Sequence, residues 1–173
     1  MLRLYLLRHA KSAWPEGVPD RDRPLGPRGH RAAPAMGAYM AQEKLMPALA
    51  IVSPARRTIE TWELASERWK HKPELRFEDR IYEASADTLL RVIRAQESET
   101  PLMLVGHNPG LESLAAALLR RQERTSALTK FPTGALAVID LPIEQWSELQ
   151  EGTGALERFV TPRSIGVEKD RKD

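Results

Sequence analysis

Short apolar runs that stop abruptly at polar or turn-forming residues recur along the whole chain. Between them lie segments with the three-to-four-residue spacing of amphipathic helices. Residues 2–7, 48–52, 75–77, 101–105, 135–141 and 156–160 read as strands. Helices are expected at 32–39, with Pro34 tolerated only in the first turn, and at 56–69, opened by Ser53 as N-cap. Two more are expected, one starting at Ser85 or Asp87 and carrying Leu89, Leu90, Val92 and Ile93, the other at 111–119. This alternation predicts an α/β fold of three layers (α/β/α) around a mostly parallel central sheet. Pro15, Gly17, Pro19, Pro24, Gly26, Pro27 and Gly29 leave no regular element before about residue 28. With 173 residues and neither a repeat nor a linker, one domain is expected over 1–167, followed by a charged tail, 168–173, that frays.

Charge and cysteine usage then remove whole classes of function. Lys plus Arg number 26 and Asp plus Glu 24, a formal net charge of +2, so there is no general basic field and any anion recognition must be local. Nucleic acid is not an expected partner, because Trp14, Trp62, Trp69 and Trp146 are scattered among apolar patterns and read as core or rim. The absence of cysteine excludes disulfides, thiolate nucleophiles and Cys-ligated metals together. No HxxxH or HxH spacing supplies a metal site either, so neither metal nor cofactor is expected. The N-terminal apolar run is broken by Arg3 and ended by Arg8 and His9, too short and too charged for a leader or a membrane span. A cytoplasmic protein without membrane association is the expectation.

Chemistry gathers where strands end. The first expected strand leads into Arg8-His9, the second into Ser53-Pro54-Ala55-Arg56-Arg57, and the fourth into Gly106-His107-Asn108. Carboxyl ends of parallel strands form the crevice in which α/β proteins bind ligands, so neighbouring strands would bring two histidines and several arginines to one point. Guanidinium groups match phosphoryl oxygens bidentately and stabilise their charge during transfer. A neutral histidine among them, its other ring nitrogen donated to a carbonyl, can attack phosphorus. His30 and His71, each flanked by basic residues, read as surface side chains.

In this order the motifs resemble the histidine phosphatase superfamily, which has the phosphoglycerate-mutase-like fold, and within it the short phosphohistidine phosphatases of the SixA type. LLRHAKSAW resembles the opening Arg-His-Gly motif, with Ala10 in place of glycine; SPARRTIET resembles Ser-Pro-x-x-Arg-x-x-x-Thr; and LMLVGHNPGLE resembles the strand ending in Gly-His-Asn-Pro. RPLGPRG at 23–29 and FPTGALAVIDL at 131–141 extend the likeness to about residue 141. The resemblance implies a covalent phosphohistidine on His9, with Arg8, Arg57 and His107 holding the phosphoryl oxygens; Thr61 is the motif threonine and Arg56 lies one position early. For the general acid of larger relatives it offers Asp79, with Glu83 as substitute. The implied substrate is phosphohistidine or a similar small phosphorylated group, on a phosphorylated protein or a small phosphorylated metabolite. A mutase or phosphatase acting on a sugar phosphate or other small ester is the alternative.

Overall fold

The computed structural model describes residues 1–124 and 130–169; the end of the expected tail, 170–173, lies outside the described residues. Six strands, β1 (Leu2–Arg8), β2 (Leu49–Val52), β3 (Glu74–Phe77), β4 (Leu102–Gly106), β5 (Leu136–Leu141) and β6 (Ala155–Val160), form one sheet in the order β3-β2-β4-β1-β5-β6. Strands β3, β2, β4 and β1 pair in parallel, β5 runs antiparallel to β1, and β6 antiparallel to β5. The helices are α1 (Pro27–Gln42), α2 (Arg56–Ser66), α3 (Ala86–Arg94) and α4 (Gly110–Leu118).

Alternate residues of a strand point to opposite faces, and that periodicity sorts the core into two halves. Leu4, Leu6, Ile51, Leu104 and Ile139 pack with Leu89 of α3 and Leu111, Leu114 and Leu118 of α4. Tyr5, Leu7, Val52, Met103 and Val138 pack on the other face with Met36 and Met40 of α1 and Trp62 of α2. Both faces of the sheet are therefore covered, and β1, β2 and β4 are apolar because water reaches neither side of them.

Several boundaries differ from the sequence expectation. Helix α1 starts at Pro27, which occupies the first turn where its missing N–H costs nothing, and Pro34 falls inside the helix. There it forfeits the bond to the carbonyl of His30, a residue on the exposed side where water can substitute. The N-cap of α2 is Ala55, without a side-chain bond. Ser53 is instead taken up by a histidine, as described below. Helix α2 ends at Ser66, not 69, and Trp69 turns inward to donate its indole N–H to Gly37 O at 2.9 Å and to meet Trp62 edge-on. Ser85 does cap α3, accepting from the backbone N–H of Thr88. Within the loop expected to be irregular, Asp20–Asp22 forms a short 3₁₀ turn.

Candidate active site

The three strand ends meet because β1, β4 and β2 are adjacent, and hydrogen bonds from His9 N to Gly106 O (3.1 Å) and from Ser53 N to Val105 O (3.0 Å) extend the ladder past the strands. Beyond them opens a pocket of about 340 Å³ whose wall includes Arg8, His9, Arg57 and His107. All four residues that the motifs single out around the expected phosphoryl group thus face one space. His30 and His71 are exposed and take no part in it.

His9 is 6% exposed, and its Nδ1 lies 2.8 Å from Ala10 O. A carbonyl can only accept, so Nδ1 carries the proton and the lone pair resides on Nε2. Burial, opposed by the Ala10 bond and reinforced by His107, Arg8 and Arg57, pushes the pKa down to about 3, so the ring is neutral near pH 7. Ala10 is itself fixed: its N–H donates to Thr61 Oγ1 at 2.9 Å, and that hydroxyl donates to Arg57 O at 2.7 Å. The motif threonine ties the first turn of α2 to the segment that orients His9.

His107 sits 5.5 Å from the His9 ring, centroid to centroid. Its Nε2 is 2.7 Å from Ser53 Oγ, an oxygen that also accepts from Ala55 N at 3.3 Å. The serine proton is then best directed to Nε2, which leaves His107 Nδ1 as an N–H donor without a protein partner among the described residues. Burial, together with the charge of Arg57, lowers the His107 pKa to about 4. Arg8 donates to Phe131 O at 2.9 Å, as does Asn108 Nδ2 at 3.1 Å.

The sequence reading assigned no role to Asp20, Arg23 or Tyr82. Asp20 Oδ2 accepts from Arg57 Nη2 at 3.1 Å and from the Tyr82 hydroxyl, its Oδ1 accepts from Arg23 Nε at 3.0 Å, and its backbone O accepts from Arg57 Nη1 at 2.8 Å. The Tyr82 hydrogen bond and the two guanidinium groups hold the Asp20 carboxyl down to about 2, despite some desolvation, so it is ionised. Arg23 also donates to Ser12 Oγ at 2.9 Å, and its guanidinium lies 3.4 Å from the centre of the Trp14 ring, which is 76% exposed on the rim. The signal in the sequence was an Asp three residues ahead of the RPLGPRG stretch, within a loop dense in proline and glycine. Such a loop gives no periodicity from which to infer where its side chains point.

The two carboxylates left open by the sequence separate clearly. Glu83 lines the pocket and adopts a left-handed backbone (φ 50°), uncommon for a non-glycine residue. Asp79 lies outside it, its side chain 85% exposed and 3.5 Å from Arg21. Arg56 is also outside, paired with Glu60 at 3.4 Å.

A family model described as histidine phosphatase superfamily (branch 1) matches residues 4–89. The uncharacterised Mycobacterium tuberculosis protein Rv1276c is 33% identical over 163 residues, covering 91% of this chain and all of the relative. Among solved structures, the candidate phosphohistidine phosphatase SixA of Agrobacterium tumefaciens superposes with a TM-score of 0.81 at 32% identity, over 93% of this chain and 98% of that one. The corresponding SixA candidate of Nakamurella multipartitia gives 0.82 at 27% identity, over 93% and 96%. The phosphoglycerate-mutase-like architecture is shared more widely: mycobacterial glucosyl-3-phosphoglycerate phosphatase Rv2419c, at 15% identity and a TM-score of 0.62, has the same fold.

Proposed function

This chain belongs to the histidine phosphatase superfamily and is a histidine-nucleophile phosphatase, and from that premise we propose that His9 is the nucleophile and that the substrate carries phosphorus on nitrogen, as phosphohistidine does. One observation carries the assignment of His9: a buried, neutral imidazole whose Nδ1–H is committed to Ala10 O, with Nε2 left free among guanidinium groups. The Nε2 lone pair forms a bond to phosphorus while the bond to the leaving group breaks. Water then attacks the phosphohistidine, releasing inorganic phosphate and restoring the neutral ring.

Arg8, Arg57 and the Nδ1–H of His107 hold the phosphoryl oxygens, and these bonds strengthen as charge spreads over them in the transition state. Asp20 positions Arg57 and Arg23. Across the pocket wall, Arg8, Lys11, Arg23 and Arg57 face Asp20 and Glu83, a surplus of positive charge suited to a phosphoryl dianion. On this reading Glu83, which lines the pocket, donates a proton to a departing oxygen. An imidazole leaving group can be protonated near neutral pH without such help, whereas an alkoxide leaves poorly, which favours an N-phosphorylated substrate. The similarity to SixA-type proteins supports the same choice. The reaction takes place in the cytoplasm on this reading; among the described residues no helix is long and apolar enough to cross a membrane.

His9→Ala abolishes turnover of an aryl phosphate, by roughly a thousandfold or more, with the circular dichroism spectrum unchanged. Wild-type protein quenched in mid-turnover carries a phosphoryl adduct labile in acid and stable in base. An acid-stable, base-labile adduct would assign the attack to an oxygen and overturn the proposal.

A further inference from the structure

A second hollow, of about 540 Å³, lies beside the catalytic pocket, with Pro132, Phe159 and Pro162 on its floor and Arg28, Lys130, Arg163 and Lys169 around it. None of these four cations pairs with a carboxylate among the described residues. Elsewhere on the surface Arg3 pairs with Asp140, Arg76 with Glu74, Arg80 with Glu78 and Arg158 with Glu157. Glu168 lines the adjoining hollow, and in sequence Lys169 is flanked by Glu168 and Asp170. Against a net charge of +2 for the whole chain, the cluster is a strong local excess, and like charges held around an apolar floor favour an anionic occupant. Arg28 Nε is buried and has no hydrogen-bond partner among the described residues.

The position of the hollow gives it meaning. Pro132 lines it and the next residue, Thr133, lines the catalytic pocket, so the two spaces share one wall. That wall is fixed to the site: Phe131 O accepts from Arg8 and Asn108, and Gly134 N donates to the carbonyls of Arg8 and His9. Gly134 has φ +76°, and a Cβ there would press on Pro162 at 2.8 Å, so the wall also packs closely on the hollow's floor. A free inorganic anion has no use for an apolar floor of two prolines and a phenylalanine; an extended polypeptide bearing both carboxylates and apolar side chains does.

We propose that this groove docks an acidic segment of a phosphorylated protein whose phosphoryl group enters the neighbouring pocket. The proposal rests on the phosphatase reading above and narrows its substrate from any N-phosphorylated compound to a protein.

The test uses a fluorescent, unphosphorylated peptide alternating glutamate with leucine around one histidine, and its glutamine counterpart, read by anisotropy. The acidic peptide should bind at least about tenfold more tightly than the glutamine one, and weaken as salt rises from about 50 to 300 mM. The double variant Lys130→Glu, Arg163→Glu should lose about tenfold or more in peptide affinity yet hydrolyse an aryl phosphate within about twofold of wild type. Equal binding of both peptides, unchanged binding by the double variant, or displacement of the peptide by anionic lipid vesicles or single-stranded DNA would overturn the proposal. Because the peptide carries no phosphate, its binding reports on the groove alone, whereas aryl phosphate turnover by wild type reports on the phosphatase reading.

Discussion

At the scale of single residues, two buried imidazoles set how the protein responds to acid. His9 and His107 have pKa values near 3 and near 4 in the folded chain, below the 6.5 of unfolded histidine, so between these limits the unfolded state binds more protons. Stability is complete above about pH 6.5 and falls as the pH drops towards 4; from pH 7 to pH 5 each ring removes about 2 kcal/mol. The loss in urea stability between those pH values should shrink by about 2 kcal/mol in His9→Gln, and an unchanged loss would mean the ring is solvated when folded. The two candidate carboxylates are separable by leaving group. Glu83→Gln should slow hydrolysis of an alkyl phosphate by about tenfold to a hundredfold, with a smaller effect on phosphohistidine. Asp79→Asn, which touches only an exposed ion pair, should stay within about twofold of wild type in kcat/KM. A loss carried by Asp79 instead would place the acid on the outer side of that turn.

At the scale of elements, α2 connects packing to chemistry. It carries Arg57 at its first turn and, through Thr61, the hydrogen bond that fixes Ala10 next to His9. Its other end is pressed against α1 at Gly37, where a Cβ would collide with the backbone of Ala65. Gly37→Ala must separate the two helices, at a cost of about 1–3 kcal/mol in urea unfolding, and should lower kcat/KM at the same time because α2 moves with its arginine. Stability lost without activity would show that α2 shifts as a body without turning Arg57. The helices were legible in the sequence because each has an apolar face with a period near 3.6. Their ends were less so: two prolines near the start of α1 competed for its first turn, and Ser53 had the chemistry of an N-cap while its tertiary neighbour, His107, had the stronger claim on its hydroxyl.

For the whole molecule, anion binding at the carboxyl ends of the central strands should register as global stability, since the pocket is assembled from β1, β4, α2 and the loops between them. Inorganic phosphate at about a hundred times its Kd contributes about 2.7 kcal/mol. For a chain of 173 residues that is a rise in Tm of roughly 5–10 °C, which Arg57→Ala should abolish. An equal rise in the variant would place the anion elsewhere. The three-layer architecture and the meeting of Arg8, His9, Arg57 and His107 were already determined by the sequence, because apolar runs fix which segments are strands, Arg8, His9 and His107 sit at strand ends, and Arg57 opens the helix that follows β2. The reach of side chains from irregular segments was decided only by the tertiary structure. Asp20 is separated from Arg57 by 37 positions and from Tyr82 by 62, yet it binds both. No local periodicity records a contact made through a loop, and the same reason separates Glu83 from Asp79, and brings Arg28 together with Lys130, Arg163 and Lys169 in one groove.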